Sequence, residues 1–158
     1  MGIDVKRRLM LKGSMAAGLA TIAATAGLLS PRIVLAAWPQ AAFEAKSFDT
    51  ALSALLGSSS TAKSGDIKIK APTIAENGAV VNVLVQTSMP DVESMSILVA
   101  KNGNPLAISV DMAKSADSFI KTRVKLGQTS KVYGVVKAGG KLFSSDRVVK
   151  VTVGGCGG

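Results

Sequence analysis

The stretch Ile120-Lys121-Thr122-Arg123-Val124-Lys125-Leu126 sends Ile120, Thr122, Val124 and Leu126 to one side and Lys121, Arg123 and Lys125 to the other. That period of two marks a strand with one face in a core and one in water, because successive side chains of an extended chain leave on opposite faces. The pattern recurs outward in both directions. Upstream, Ile67 and Ile69 alternate with Lys68 and Lys70 as far as Pro72, and Asn77-Gly78 marks a turn. Val81, Val83 and Val85 share a face before Met89-Pro90-Asp91 breaks the run. Met95, Ile97 and Val99 follow, then the turn Asn102-Gly103-Asn104-Pro105, then Leu106, Ile108, Val110 and Met112. Downstream, Val132 to Lys137 and Leu142 to Ser144 flank a tight Ala138-Gly139-Gly140 hairpin turn, and Val149, Val151 and Val153 form a last strand. Seven or eight short strands separated by turn signals predict a mainly β chain over residues 65–153, an antiparallel β-sandwich of immunoglobulin-like kind. With one cysteine, the disulfide found in antibody domains is impossible.

Before the strands, Ala41, Ala45, Phe48, Leu52 and Leu55 recur every three or four residues, which predicts one amphipathic helix stopped by Gly57. Gly57-Ser58-Ser59-Ser60-Thr61 reads as a linker, so 37–64 is an N-terminal helix and linker. The apolar stripe could dock another subunit, but packing on its own domain is the simpler reading.

Residues 1–36 carry an export signal. Lys6-Arg7-Arg8 opens it, a weakly apolar run Gly13 to Leu29 follows, and Val34-Leu35-Ala36 supplies small residues for cleavage after Ala36. The paired arginines place it with twin-arginine signals and the mature protein in the periplasm, although Lys6 and Met10 depart from the residues that motif prefers. The run is too short and too rich in Gly and Thr to serve as a membrane anchor. Cleavage leaves 122 of 158 residues; because the leader holds five Lys/Arg and one Asp, the formal charge falls from +9 to +5. The basic residues form no block, and Trp38, Tyr133 and four Phe are the only aromatics, which argues against nucleic acid.

The chain ends Gly154-Gly155-Cys156-Gly157-Gly158, a flexible arm (154–158) around its one cysteine. Glycine has no Cβ and visits both signs of φ, so such a tail has little reason to settle on one conformation. Five extended residues reach about 15–18 Å, far enough to put one sulfur into another protein's active site. A single cysteine in an oxidising compartment cannot close an internal disulfide, so it implies an intermolecular bond or a reactive thiol. Prenylation needs three residues after the cysteine, and only two follow. The chain has no histidine, which excludes a Ser-His-Asp triad and the commonest metal ligands. No catalytic, cofactor-binding or metal-binding residue is expected; Cys156 is the candidate site of covalent substrate attachment, with Gly154, Gly155, Gly157 and Gly158 as its flexible flanks.

The ending Val149-Lys150-Val151-Thr152-Val153-Gly154-Gly155-Cys156-Gly157-Gly158 resembles that of the SoxY family, the sulfur-carrier subunits of the periplasmic thiosulfate-oxidising Sox system. Ala42-Phe43-Glu44-Ala45, Ile74 to Val81, Val136-Lys137-Ala138, Gly140-Lys141-Leu142 and Lys101 to Leu106 agree, with Gly103 where the family often has proline. The resemblance implies a heterodimer with a SoxZ-like small β subunit. It also implies that a SoxAX-like haem enzyme joins thiosulfate to Cys156, that a SoxB-like hydrolase releases sulfate, and that in some organisms a sulfane dehydrogenase acts next. The chain would then be a covalent carrier and not an enzyme, with no cofactor of its own. A carrier that forms a thiocarboxylate on Gly158 would be cytoplasmic and ubiquitin-like, against the leader and the β pattern. An adhesive sandwich would leave Cys156 without a use.

Overall fold

The computed structural model describes residues 39–152. Two short helices come first, α1 (Gln40–Glu44) and α2 (Phe48–Leu56). They are followed by β1 (Ala62–Lys63), β2 (Ile67–Lys70), β3 (Ile74–Ala75), β4 (Val81–Thr87), β5 (Val92–Val99), β6 (Leu106–Asp111), β7 (Phe119–Val124), β8 (Ser130–Ala138) and β9 (Lys141–Val151).

The expected single helix is divided in two. Ala45 and Ser47 are extended (ψ 141° and 155°), and the Ser47 hydroxyl accepts from the Thr50 backbone N–H at 3.2 Å. Serine competes with helical backbone bonds in this way, so it starts a helix more readily than it continues one. Gly57 closes α2 as the sequence indicates, at φ 75°, donating to the Ser53 carbonyl at 2.9 Å.

The strands form two sheets. The larger runs β1-β9-β8-β5-β6, with β3 also paired to β9; the smaller is β2-β4-β7. Facing side chains fill the space between them: Ile67, Val81, Val83, Val85, Ile120 and Val124 from the smaller sheet, and Met95, Ile97, Val99, Val132, Val136 and Val149 from the larger. Gly134 belongs to this inner face of β8, where a Cβ would stand 2.7 Å from Val85 Cγ1. The sheets meet there too closely for any side chain.

The helices cover the outer face of the larger sheet. Ala42, Ala45, Ala51 and Leu52 pack on Leu98, Leu106 and Val135, and the Phe48 and Tyr133 rings lie 4.4 Å apart between centroids. The expected stripe therefore packs on its own domain at Ala45, Phe48, Leu52 and Leu55, but Ala41 is exposed and Ala42 takes the buried place, because the break before Ser47 gives the first helix its own face. β5 and β8 are consequently buried on both faces, which is why Ser94 to Val99 reads as an unbroken buried run rather than an alternation.

The mainly antiparallel sandwich is as expected, with three departures. β1 falls within the stretch read as linker, and it pairs parallel to β9. β3 also runs parallel to β9, Ile74 opposite Lys150 and Ala75 opposite Val151. The last two expected strands are one, β9, paired with β8 from Ala138↔Lys141 through Ser130↔Val149. Their hairpin turn holds Gly139 and Gly140 at φ 53° and 72°, the left-handed pair that a two-residue hairpin demands.

Candidate functional site: the root of the C-terminal arm

Cys156 and Gly154, Gly155, Gly157 and Gly158 lie outside the described residues, as does the expected leader. What the structure describes is the segment that precedes them, the C-terminal end of β9, the root of the expected arm. Both flanks of that strand are tied. On one side the Lys150 N–H donates to the Thr73 carbonyl at 2.9 Å and the Thr152 N–H to the Ala75 carbonyl at 3.2 Å. On the other, the Val151 N–H donates to Thr129 Oγ1 at 3.0 Å, and that hydroxyl donates back to the Val151 carbonyl at 3.5 Å. Thr129 closes the ladder where β8 has not yet begun.

A third clamp closes over Val151. Asn77 Oδ1 accepts from the Ala79 N–H at 2.9 Å, a side-chain turn that brings Gly78 over the strand. The Leu126 N–H donates to the Gly78 carbonyl at 2.7 Å, which joins the end of β7 to the same spot. A Cβ on Gly78 would overlap the Leu126 carbonyl oxygen and stand 2.9 Å from Val151 Cγ1. The turn that the sequence marked as Asn77-Gly78 therefore has a specific task at the arm's root.

The neighbouring loops are braced to this end as well. Asn102 Nδ2 donates to the Lys125 carbonyl at 2.6 Å, and Asn102 Oδ1 accepts from the Gly127 N–H at 3.2 Å. Ser130 Oγ accepts from the Lys101 N–H at 3.0 Å. Two apolar side chains stand in solvent beside the root, Ile74 and Val148, 56% and 47% exposed. The register places both on the outer face of the larger sheet, flanking Lys150.

No group of three His, Cys, Asp or Glu able to hold a metal occurs among the described residues. None of their helices is long and apolar enough to cross a membrane. A cavity of about 500 Å³ opens near the other end of the sandwich, lined by Met89, Asp91, Glu93, Met112 and Lys114 among others. Above it, Glu93 pairs with Lys137 at 2.7 Å and accepts from the Gly140 N–H at 2.7 Å. The Lys137 hydrogen bond, then that of Gly140, hold the Glu93 carboxyl below its ordinary pKa. A hydrogen bond from Lys131 to Asp146, at 3.3 Å, likewise raises the lysine. Both pairs lie at the surface: Glu93 fastens β5 to β8 and its turn, and Asp146 fastens β9 to β8.

The family described as "Sulfur oxidation protein SoxY" matches residues 52–156, two thirds of the chain, and its last matched residue is Cys156. This chain belongs to the SoxY family. Among solved structures, the sulfur carrier protein SoxY from Chlorobium limicola f thiosulfatophilum is similar at 40% identity and a TM-score of 0.62, over 72% of this chain and 99% of that one. A superoxide reductase (neelaredoxin) from Ignicoccus hospitalis is similar at 17% identity over 54% of this chain and 79% of that one; its TM-score of 0.49 is too low to inform the fold. No curated protein sequence matches. The SoxY match begins within α2, at Leu52, and runs through the sandwich to Cys156.

Proposed function

We propose that this chain is a covalent carrier of sulfur compounds in thiosulfate oxidation, holding its cargo on Cys156. The observation that carries the reading is the SoxY match that runs through the sandwich and ends on the only cysteine of the chain. A firmly tied strand end at Val151, five residues before that cysteine, supports it. A carrier needs a fixed base and a short arm of small residues that enters a partner's active site.

The chemistry balances with the cysteine alone as the protein's contribution. The Cys156 thiolate and thiosulfate (S₂O₃²⁻) join through a new sulfur–sulfur bond to give Cys-S-S-SO₃⁻, and the two electrons released pass one at a time through the haem of a SoxAX-like enzyme to an external electron acceptor. Water then attacks the terminal sulfonate sulfur in a SoxB-like hydrolase. Sulfate and two protons leave, and Cys156 keeps a persulfide. A sulfane dehydrogenase is a further partner in this reading. A SoxZ-like β subunit forms the standing heterodimer, and Ile74 and Val148 beside the arm's root offer it or the enzymes apolar contact.

The same proposal places the mature protein in the periplasm, with residues 1–36 removed after twin-arginine export and 154–158 as a swinging arm. Replacing Arg7 and Arg8 with lysine tests the export route: a precursor retained in the cytoplasm is expected, and normal export would refute it. The carrier reading is tested by intact-mass and peptide mass spectrometry after incubation with thiosulfate and the partner enzymes. A thiosulfate-derived group on the peptide that contains Cys156 is expected. Label on the Gly158 carboxylate, or none at all, would overturn it.

A further inference from the structure

Among the described residues no helix covers the outer face of the smaller sheet, unlike that of the larger, and this face is strongly basic. The register aligns Lys68, Gln86 and Phe119 across the three strands, then Lys70, Leu84 and Lys121, then Asn82 beside Arg123. Lys125 continues the row beyond β7. Lys68, Lys70, Lys121, Arg123 and Lys125 are all exposed, and none forms an ion pair among the described residues. By contrast Lys63, Lys131 and Lys137, on the other sheet, each face a carboxylate. Asp66 and Asp117 lie in the loops just before β2 and β7, at the end far from the arm, so charge along both edge strands turns from negative to positive toward the arm's root. At that end the adjoining loop carries Glu76.

Folding does not require this arrangement. Unpaired like charges gathered on one sheet face repel and oppose stability. The row also has a destination: along β7, Lys121, Arg123 and Lys125 step about 7 Å at a time to Leu126, whose N–H holds Gly78 against Val151. The cations thus lead to the base of the arm. Leu84, half-buried, and Phe119, 50% exposed, sit among them as apolar contact points.

We propose that the outer face of β2-β4-β7 is a docking surface for an acidic face of a partner protein that receives the arm. Charge complementarity selects the occupant. A three-stranded face of this size suits a small, transient, electrostatically steered contact, which gives fast encounter and ready release. With Phe119 its one aromatic, the face lacks the stacking platforms of a nucleic-acid surface. Naming the partner as an enzyme of the carrier cycle rests on the proposed function; the acidic character of that partner does not.

The test has two arms. In the first, isotope-labelled full chain is titrated with a poly-L-glutamate 20-mer and followed by NMR. Shift changes are expected to cluster on Lys68, Lys70, Lys121, Arg123 and Lys125 and to vanish at high salt. Shifts spread evenly over all surface lysines, or centred elsewhere, overturn the proposal. So does binding to phosphatidylglycerol vesicles through this face with no response to the peptide, which would make the surface a membrane contact. In the second arm, the rate of thiosulfate loading by the haem partner is compared for the wild type, Lys121→Glu/Arg123→Glu and Lys114→Glu/Lys141→Glu. At low salt the face variant is expected to load at least about tenfold more slowly, the control within about twofold, and the difference to shrink with added salt. Equal losses in both variants, or none in either, overturn the proposal while leaving the carrier reading intact. If the wild type takes up no cargo at all, the carrier reading fails and the peptide titration still decides the face.

Discussion

Gly78 and Val151 are in contact across the root of the arm, and the contact leaves no space for a side chain at Gly78. Its nearest neighbours are a backbone carbonyl, that of Leu126, and a branched side chain on a strand paired on both sides. Neither yields cheaply. Gly78→Ala is therefore expected to cost about 1–3 kcal/mol, read as a lower urea midpoint, and to increase hydrogen exchange at the Val151 and Thr152 amides. An unchanged midpoint with unchanged exchange would show that the loop gives way freely and clamps nothing.

Gly134 has the corresponding position in the core. Gly134→Ala should cost about 1–3 kcal/mol because its methyl meets Val85 Cγ1. Adding Val85→Ala removes the obstructing group, so the double variant should be less destabilised than the two single effects summed. Strict additivity in equilibrium unfolding would contradict the close approach of the sheets.

Cys156→Ser should abolish cargo loading while leaving the unfolding midpoint unchanged, since a hydroxyl cannot form the sulfur–sulfur bond. Gly155→Phe separates reactivity from access. It should leave alkylation by a small reagent unchanged and slow loading by the partner enzymes. If both rates fall equally, the flanking glycines act on the thiol's own chemistry and not on entry into a partner.

The Glu93 pairing makes a prediction with a sign. Its carboxyl is held below the ordinary value in the folded protein, so the stabilisation is present above the unfolded pKa and lost as pH falls through the folded one. Glu93→Gln should lower stability at neutral pH and flatten that part of the acid decline. A variant whose acid unfolding curve overlays the wild type would show that the pair with Lys137 is energetically silent, as many surface pairs are.

The sequence made the sandwich legible where one face of a strand meets water: Ile120 to Leu126 and Val81 to Val85 alternate as the structure has them. It was less legible where helices bury the second face, since Ser96 and Leu98 then look no different from core positions. The helix break was hidden because Ser47 can sit within a helix or cap one. The parallel pairings of Ala62–Lys63 and Ile74–Ala75 left no signal, as two-residue strands have no period. The tail announced Cys156 through composition alone, but the roles of Asn77, Gly78 and Thr129 at its root depend on contacts between distant segments. Asn77-Gly78 signalled only a turn. The basic face was half visible in Lys121, Arg123 and Lys125; its other half needed the register that brings β2 alongside β4.

The parallel pairing of β3 to β9 has a mechanical consequence. Under the proposed carrier function, a partner that held the tail and then separated would load the domain through Val151 along the axis of β9. Hydrogen bonds to β3, β8 and Thr129 lie across that direction and must shear together instead of opening one after another. β9 would thereby resist being drawn out of the fold, so that under the proposed function the contact with a receiving protein would give way before the domain does.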